Sequence, residues 1–229
     1  MRPKIKISGI MSADDARAAL DLGADYISFE NVKTSKRYLD FSQITAITSE
    51  IPQNYKNRLV LATDAGSYDT LMQVLRKADI SAAQPKFPNI KTTDVIKMRK
   101  SGIRIFHYEY LSSSADIFNV GLSNDAYDYA VFDIRPTFVS KVDRFTRNYK
   151  VARIVRDIFS EIKANIPLDF YGVSGELSLE SIFTFIQVCK PSLIDLSIQF
   201  ESQHSVYKSY DRMAQFFTKL NTVFPNVKN

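Results

Sequence analysis

Polar side chains close a series of apolar runs in this chain: Ser8, Glu30, Asp64, Gln84, Glu109, Asp133, Ser174 and Gln199. Carboxylates, amides and hydroxyls can move protons and hold a polar ligand, provided the fold brings them to one edge. Asp133 closes Tyr129-Ala130-Val131-Phe132-Asp133, so a carboxyl group stands where a buried strand leaves the core. Such an aspartate either meets a ligand or caps the following turn. Ser8 closes Lys4-Ile5-Lys6-Ile7-Ser8 and is followed by Gly9. The strand ends lack a lysine, which argues against Schiff-base chemistry. One cysteine, Cys189, excludes an intrachain disulfide, and with only two histidines the expectation is no metal and no cofactor. His107, between Phe106 and Tyr108, reads as packing, and His204, in Glu-Ser-Gln-His-Ser, as an exposed loop residue.

Those side chains need a scaffold, and the apolar pattern supplies one. Strands are expected at Ile5–Ser8, Tyr26–Phe29, Leu59–Thr63, Ile80–Gln84, Ile103–Tyr108, Tyr129–Asp133, Leu168–Val173 and Leu193–Ile198. Amphipathic segments alternate with them at Ala13–Leu22, Phe41–Ser49, Tyr68–Lys77, Thr92–Lys100, Ser114–Val120, Tyr149–Ala164, Leu179–Cys189 and Tyr207–Leu220. The first helix opens at Ser12 or Asp14 and stops at Gly23. Eight strands, each followed by a helix, predict an α/β chain folded as a (β/α)8 TIM barrel. An open doubly wound sheet is the alternative, but Gly9 alone follows the first strand, without a G-x-G-x-x-G phosphate loop. The 229 residues then form a single domain, 1–229, close to the usual size of about 250 for this barrel.

Composition fits a globular chain, 45% hydrophobic and 24% charged. The net charge of +5 is scattered except around Arg135 to Arg156, which reads as a solvated basic surface and not as a nucleic-acid patch. The opening Met-Arg-Pro-Lys-Ile-Lys carries no long apolar run, so neither signal peptide nor membrane span is expected, and the expected location is the cytoplasm. The sequence assigns no oligomeric state. Arg135 to Lys150 is a long basic, hydroxyl-bearing segment after the sixth strand, placed to act as a lid at the rim.

Several of these segments carry a resemblance. Lys4-Ile5-Lys6-Ile7-Ser8-Gly9-Ile10 resembles the opening of the phosphoribosylanthranilate isomerase family, whose first strand reads Lys-Ile-Cys-Gly-Ile. Thr34-Ser35-Lys36-Arg37-Tyr38 resembles its Lys-Ser-Pro-Arg-Tyr loop, and Gln84 the glutamine of its Gln-Leu-His strand. Val131-Phe132-Asp133 is similar to its Leu-Leu-Asp, and Leu193-Ile194-Asp195-Leu196-Ser197 with Glu201 to its Val-Asp-Val-Ser-Ser-Gly-Val-Glu ending. The resemblance implies an Amadori rearrangement in tryptophan biosynthesis, with a phosphorylated sugar-amine as the small-molecule partner. It implies Asp133 as general acid, Ser8 at the position of the catalytic cysteine, and Arg37 and Gln84 as substrate-binding residues.

The departures fall in the working parts. The family's catalytic cysteine is Ser8 here, and a hydroxyl is a far weaker base than a thiolate. Glu30, on the next strand end, is the nearest substitute base and Glu109 a weaker one. The family's glycine-rich phosphate cradle is thinned. Gly172 and Gly175 remain in Gly172-Val173-Ser174-Gly175, Arg135-Pro136-Thr137 replaces a glycine-rich segment, and Ile198-Gln199 replaces Ser-Gly. Arg135 and the basic segment after it can hold a phosphate by charge in place of that cradle.

Overall fold

Strands β1 (Lys4–Ser8), β2 (Tyr26–Asn31), β3 (Leu59–Thr63), β4 (Ala82–Pro85), β5 (Arg104–Leu111), β6 (Tyr129–Ile134), β7 (Tyr171–Gly175) and β8 (Leu193–Leu196) pair in chain order, all parallel. β8 returns to β1 with Lys6 opposite Asp195, and this pairing closes the barrel. The computed structural model describes residues 2–64, 67–85, 91–111, 127–134, 170–175 and 177–225, with 152, 153, 156, 157 and 160. The helix expected at 114–120, most of that at 149–164, and the basic segment 135–150 lie outside these residues.

Helices α1 (Ala13–Asp21), α2 (Phe41–Ser49), α3 (Tyr68–Lys77) and α4 (Thr92–Lys100) follow the first four strands. α5 (Leu179–Cys189) and α6 (Tyr210–Val223) follow β7 and β8. Most begin where a short polar side chain accepts a hydrogen bond from a first-turn N–H: Ser12 from Asp15, Asp40 from Gln43, Ser67 from Thr70, Ser178 from Ser181, Ser209 from Arg212. Each such cap contributes about 1 kcal/mol and fixes where the chain turns from rim to helix. The Ser209 cap explains why α6 starts at Tyr210 and not at Tyr207. β8 stops at Leu196 because Ile198–Phe200 wind into a 3₁₀ turn that carries Gln199 over the end of β7.

Strand alternation divides the side chains between two cores. Ile5 and Ile7 face outward with Ala16, Ala19 and Leu20 of α1 in the shell between sheet and helices. Tyr26, Val60, Ala82, Phe106, Tyr129, Val131 and Leu193 form a second cluster that fills the barrel interior. Its rings interlock, Tyr26 edge-on to Phe106 at 5.1 Å and Phe106 stacked on Tyr129 at 4.8 Å. The interior is thus a packed floor beneath the C-terminal mouth.

Gly172 belongs to that floor. A Cβ there would lie 2.8 Å from Leu193 Cδ2 and 3.2 Å from the Leu193 carbonyl oxygen, so the glycine lets Leu193 fill the centre. Gly172→Ala should lower stability by about 1–3 kcal/mol through overpacking. Chemical denaturation checks this, and an unchanged midpoint would remove the packing role.

Candidate active site

A cavity of about 360 Å³ opens at the C-terminal mouth, and Ser8, Glu30, Gln84, Asp133, Ser174 and Gln199 all line it. Two expected neighbours are elsewhere. Asp64 accepts a hydrogen bond from the Lys33 N–H at 3.4 Å. Glu109 lies 2.7 Å from His107 Nε2, while Tyr108 and Tyr110 of the same strand line the cavity. Strand parity is the reason: β5 turns residues 106, 108 and 110 inward, so 107 and 109 face out. Glu109 is therefore not a substitute base. His107 packs on the Tyr127 ring at 4.3 Å, and His204 is an exposed loop residue.

Ser8 is gripped from three sides. Lys6 Nζ donates to its Oγ at 2.5 Å, and Ser28, its partner in the β1–β2 register, donates to the same oxygen at 3.0 Å. The Ser8 hydroxyl donates to Asp195 Oδ1 at 2.5 Å. The directions are forced, because an ammonium can only donate and a carboxylate can only accept. Lys6 Nζ also donates to Asp195 Oδ2 at 2.7 Å, with Lys6 fully buried and Asp195 4% exposed. Asp195 lines the cavity; Lys6 stands behind it.

Neither Lys6 nor Asp195 stands out in a survey of strand ends. Lys6 lies within its strand, and the absence of lysine at the ends hid a lysine inside the barrel. The available signal is the two-residue period, which puts Lys4, Lys6 and Ser8 on one face, opposite Ile5 and Ile7.

Tyr108 donates to Ser174 Oγ at 2.7 Å. Burial raises its pKa well above 10, and the nearby carboxylates of Asp195 and Asp133 push it further, so the phenol stays neutral. Asp133 follows Phe132 on β6 and stands opposite Tyr110 and Ser174 in the strand register.

Arg37 comes from the loop after β2 and reaches the cavity across the end of β1. Gly9 makes that crossing possible: its φ is +71°, and a Cβ would lie 2.1 Å from Arg37 Cδ. The guanidinium is already paired with Glu201 through Nε and Nη2. Lys208 Nζ lies 3.6 Å from the same carboxylate, and burial, reinforced by Arg37 and opposed by Glu201, pulls its pKa down to about 8. Glu30 is buried, not solvated, and accepts from Ser35 Oγ.

The β7–β8 rim is latched by Gln199. Its Oε1 accepts the Ser197 N–H at 2.9 Å, and its Nε2 donates to the carbonyls of Gly175 and Leu177 at 2.9 Å each. Gly175 lines the cavity, while Gly172 is part of the floor below. Gln84 differs from Gln199: its Oε1 is buried and has no hydrogen-bond partner among the described residues. Arg135 lies outside the described residues. Among the described residues, no group of three His, Cys, Asp or Glu could hold a metal ion, and no helix is long and apolar enough to cross a membrane.

No family model matches the chain. An N-(5'-phosphoribosyl)anthranilate isomerase of Chloroherpeton thalassium is 23% identical over 217 residues, covering 93% of each chain. One of Methanothermobacter marburgensis is 31% identical over 81 residues, 35% of this chain and 34% of that one. The phosphoribosyl anthranilate isomerase structure from Thermotoga maritima superposes with a TM-score of 0.75 at 20% identity, covering 96% of this chain and 99% of the other. A phosphoribosyl anthranilate isomerase in complex with reduced 1-(O-carboxyphenylamino)-1-deoxyribulose 5-phosphate gives 0.74 at 20% identity, with the same coverage. By sequence and by fold, the chain is similar to N-(5'-phosphoribosyl)anthranilate isomerases along nearly its whole length.

Proposed function

We propose that this chain, as one barrel domain, catalyses an Amadori-type aldose–ketose isomerisation of a phosphoribosyl amine in cytoplasmic tryptophan biosynthesis. The observation that carries the reading is that Ser8 and Asp133 line one cavity together with Arg37 and Gln84. Asp133 protonates the ring oxygen, the ring C–O bond breaks, and the nitrogen lone pair forms an iminium ion. A base on the β1–β8 side then removes the C2 proton, giving an enolamine that becomes the ketose. Each step moves protons and electron pairs within the substrate, so the reaction calls for no cofactor.

The remaining groups suit such a ligand. The unpartnered Gln84 Oε1 accepts from a substrate hydroxyl or N–H, relieving a desolvation cost of about 1–3 kcal/mol. Arg37 presents a cation to an aromatic carboxylate while Glu201 holds it in place. Gln199 occupies the backbone groups at the rim after strands seven and eight, where barrels of this kind often bind phosphate. The phosphate is then gripped by Arg135, Lys141, Arg144 and Arg147 of the basic segment.

A second reading, a barrel that binds without turnover, is favoured by one observation: the Ser8 hydroxyl is fully engaged with Lys6, Ser28 and Asp195. Turnover of phosphoribosylanthranilate decides between them. Asp133→Asn should lower kcat by about 10²–10⁴-fold, because an amide cannot supply the acid's proton. Ser8→Cys places an ionisable thiol between the Lys6 ammonium, which favours thiolate, and the Asp195 carboxylate, which opposes it, and should raise the rate by up to about 10²-fold. If neither the natural protein nor Ser8→Cys turns over at saturating substrate, the non-catalytic reading stands.

Two binding measurements address the phosphate. Gln199→Ala frees the Ser197 N–H and should raise affinity for inorganic phosphate by about tenfold, the worth of one charge-assisted hydrogen bond of ~1.5 kcal/mol. Unchanged affinity by calorimetry would mean the latch does not guard an anion position. Replacing Arg135, Lys141, Arg144 and Arg147 by alanine should weaken ribose 5-phosphate binding and flatten its salt dependence. Equal affinity and equal salt slope would leave the segment as solvated surface.

A further inference from the structure

We propose that Asp195, and not Ser8, is the base that removes the C2 proton, with Lys6 and Ser8 as positioning residues that hold its carboxylate at the cavity wall. The inference rests on the isomerase reading and names the group that reading leaves open.

A serine hydroxyl has one proton to donate and two lone pairs. At Ser8 the proton goes to Asp195, and the lone pairs receive Lys6 and Ser28. No acceptor capacity remains for a substrate proton unless one of these bonds breaks. Asp195 has room. Its two oxygens offer about four acceptor positions, and among the described residues they take one donor each, Ser8 on Oδ1 and Lys6 on Oδ2. It also lines the cavity, whereas Lys6 does not. A carboxylate base for aldose–ketose isomerisation has a general precedent in the glutamate of triosephosphate isomerase.

The surrounding groups fix its direction. The fully buried Lys6 Nζ lies 2.7 Å from Asp195 Oδ2 and fixes that oxygen in place. The Ser8 hydroxyl locks the other oxygen and prevents the carboxylate from rotating onto the ammonium. Glu30, the other carboxylate first considered, is held by Ser35 on the opposite side of β1 from Asp195. Tyr108 stays neutral and cannot serve as a base.

The step balances without a further reactant. The C2–H bond breaks, its electron pair forms the C1=C2 bond, and the C=N electrons move onto nitrogen while Asp195 takes the proton. Asp195 then returns that proton to C1, and the C2 hydroxyl gives its own to the Asp133 carboxylate as C2=O forms. Both carboxyl groups end in their starting states.

The test compares kcat and KM for phosphoribosylanthranilate in the natural protein, Asp195→Asn, Ser8→Ala and Glu30→Gln. Binding of reduced 1-(O-carboxyphenylamino)-1-deoxyribulose 5-phosphate reports on the folded site. Asp195→Asn should lose about 10²-fold or more in kcat with KM and analogue affinity nearly unchanged, the pattern of a group acting in the transition state. Ser8→Ala should lose about tenfold or less, because it loosens the base without removing it. Asp195→Asn takes the carboxylate away from the buried Lys6 ammonium and endangers folding, so Lys6→Met/Asp195→Asn, which removes both charges, should bind the analogue and be equally slow. A loss in Ser8→Ala or Glu30→Gln as large as in Asp195→Asn, or wild-type kcat in the double variant, overturns the proposal. If the natural protein is inactive while Ser8→Cys turns over, the scaffold is competent and Asp195 is not the base, which overturns this proposal alone. If both are inactive, the isomerase reading fails and takes this one with it.

Discussion

Lys6 and Asp195 meet inside the barrel across 189 residues of sequence, and the rest of the site is arranged around that meeting. A fully buried ammonium is tolerated only with a carboxylate at hydrogen-bond distance; removing either partner of such a pair typically costs about 3–5 kcal/mol. The requirement acts on the fold as well as on the charges. It holds the last strand against the first with Lys6 opposite Asp195, the pairing that shuts the ring. Once that register is set, Ser8 stands one pleat above Lys6 and within reach of the same carboxylate. The seam of the barrel and the chemical centre of the mouth are one structure.

Around this centre the mouth combines groups that are satisfied by the protein with one that is not. Ser8, Glu30, Arg37 and Gln199 all have protein partners, which holds each in a fixed orientation. Gln84 Oε1 stands apart as a buried acceptor with no partner among the described residues. A pre-paired wall gives a ligand little freedom to reshape the site, and an orphaned acceptor rewards a ligand that brings a donor to one place. Arg37 is held similarly: Glu201 fixes the guanidinium after it crosses above Gly9, so its direction is set before any substrate arrives.

Similarity to the isomerases and divergence from them have separate physical causes. The barrel survives at about 20% identity because most of its interior positions need only apolar side chains of suitable volume. Chemistry is less forgiving. The resemblance places a cysteine where Ser8 stands, and a hydroxyl there lacks a thiol's ready ionisation, while Gln199 ties the rim backbone into a closed network. Fold similarity of this degree therefore says little about the rate or the ligand, which depend on a few atoms.

The alternation of apolar strands with amphipathic helices, the serine and aspartate caps, and the gathering of Ser8, Gln84 and Asp133 at one mouth follow from local pattern, because periods of 2 and 3.6 residues are fixed by backbone geometry alone. The inward turn of Lys6 was legible in the same way, since it shares the face of Ser8. Its partner was not: a strand's own sequence does not say which distant strand will lie beside it or in what register. Strand parity at the far end decided that Glu109 faces out and Tyr108 faces in, and a shift of one residue reverses that assignment. The 3₁₀ turn at Ile198–Phe200 decided that Gln199 folds back onto Gly175 and Leu177. Local sequence thus determined what each strand could offer. Closure of the ring decided which offers meet, because hydrogen bonds between side chains on different strands exist only at the distances that tertiary register sets.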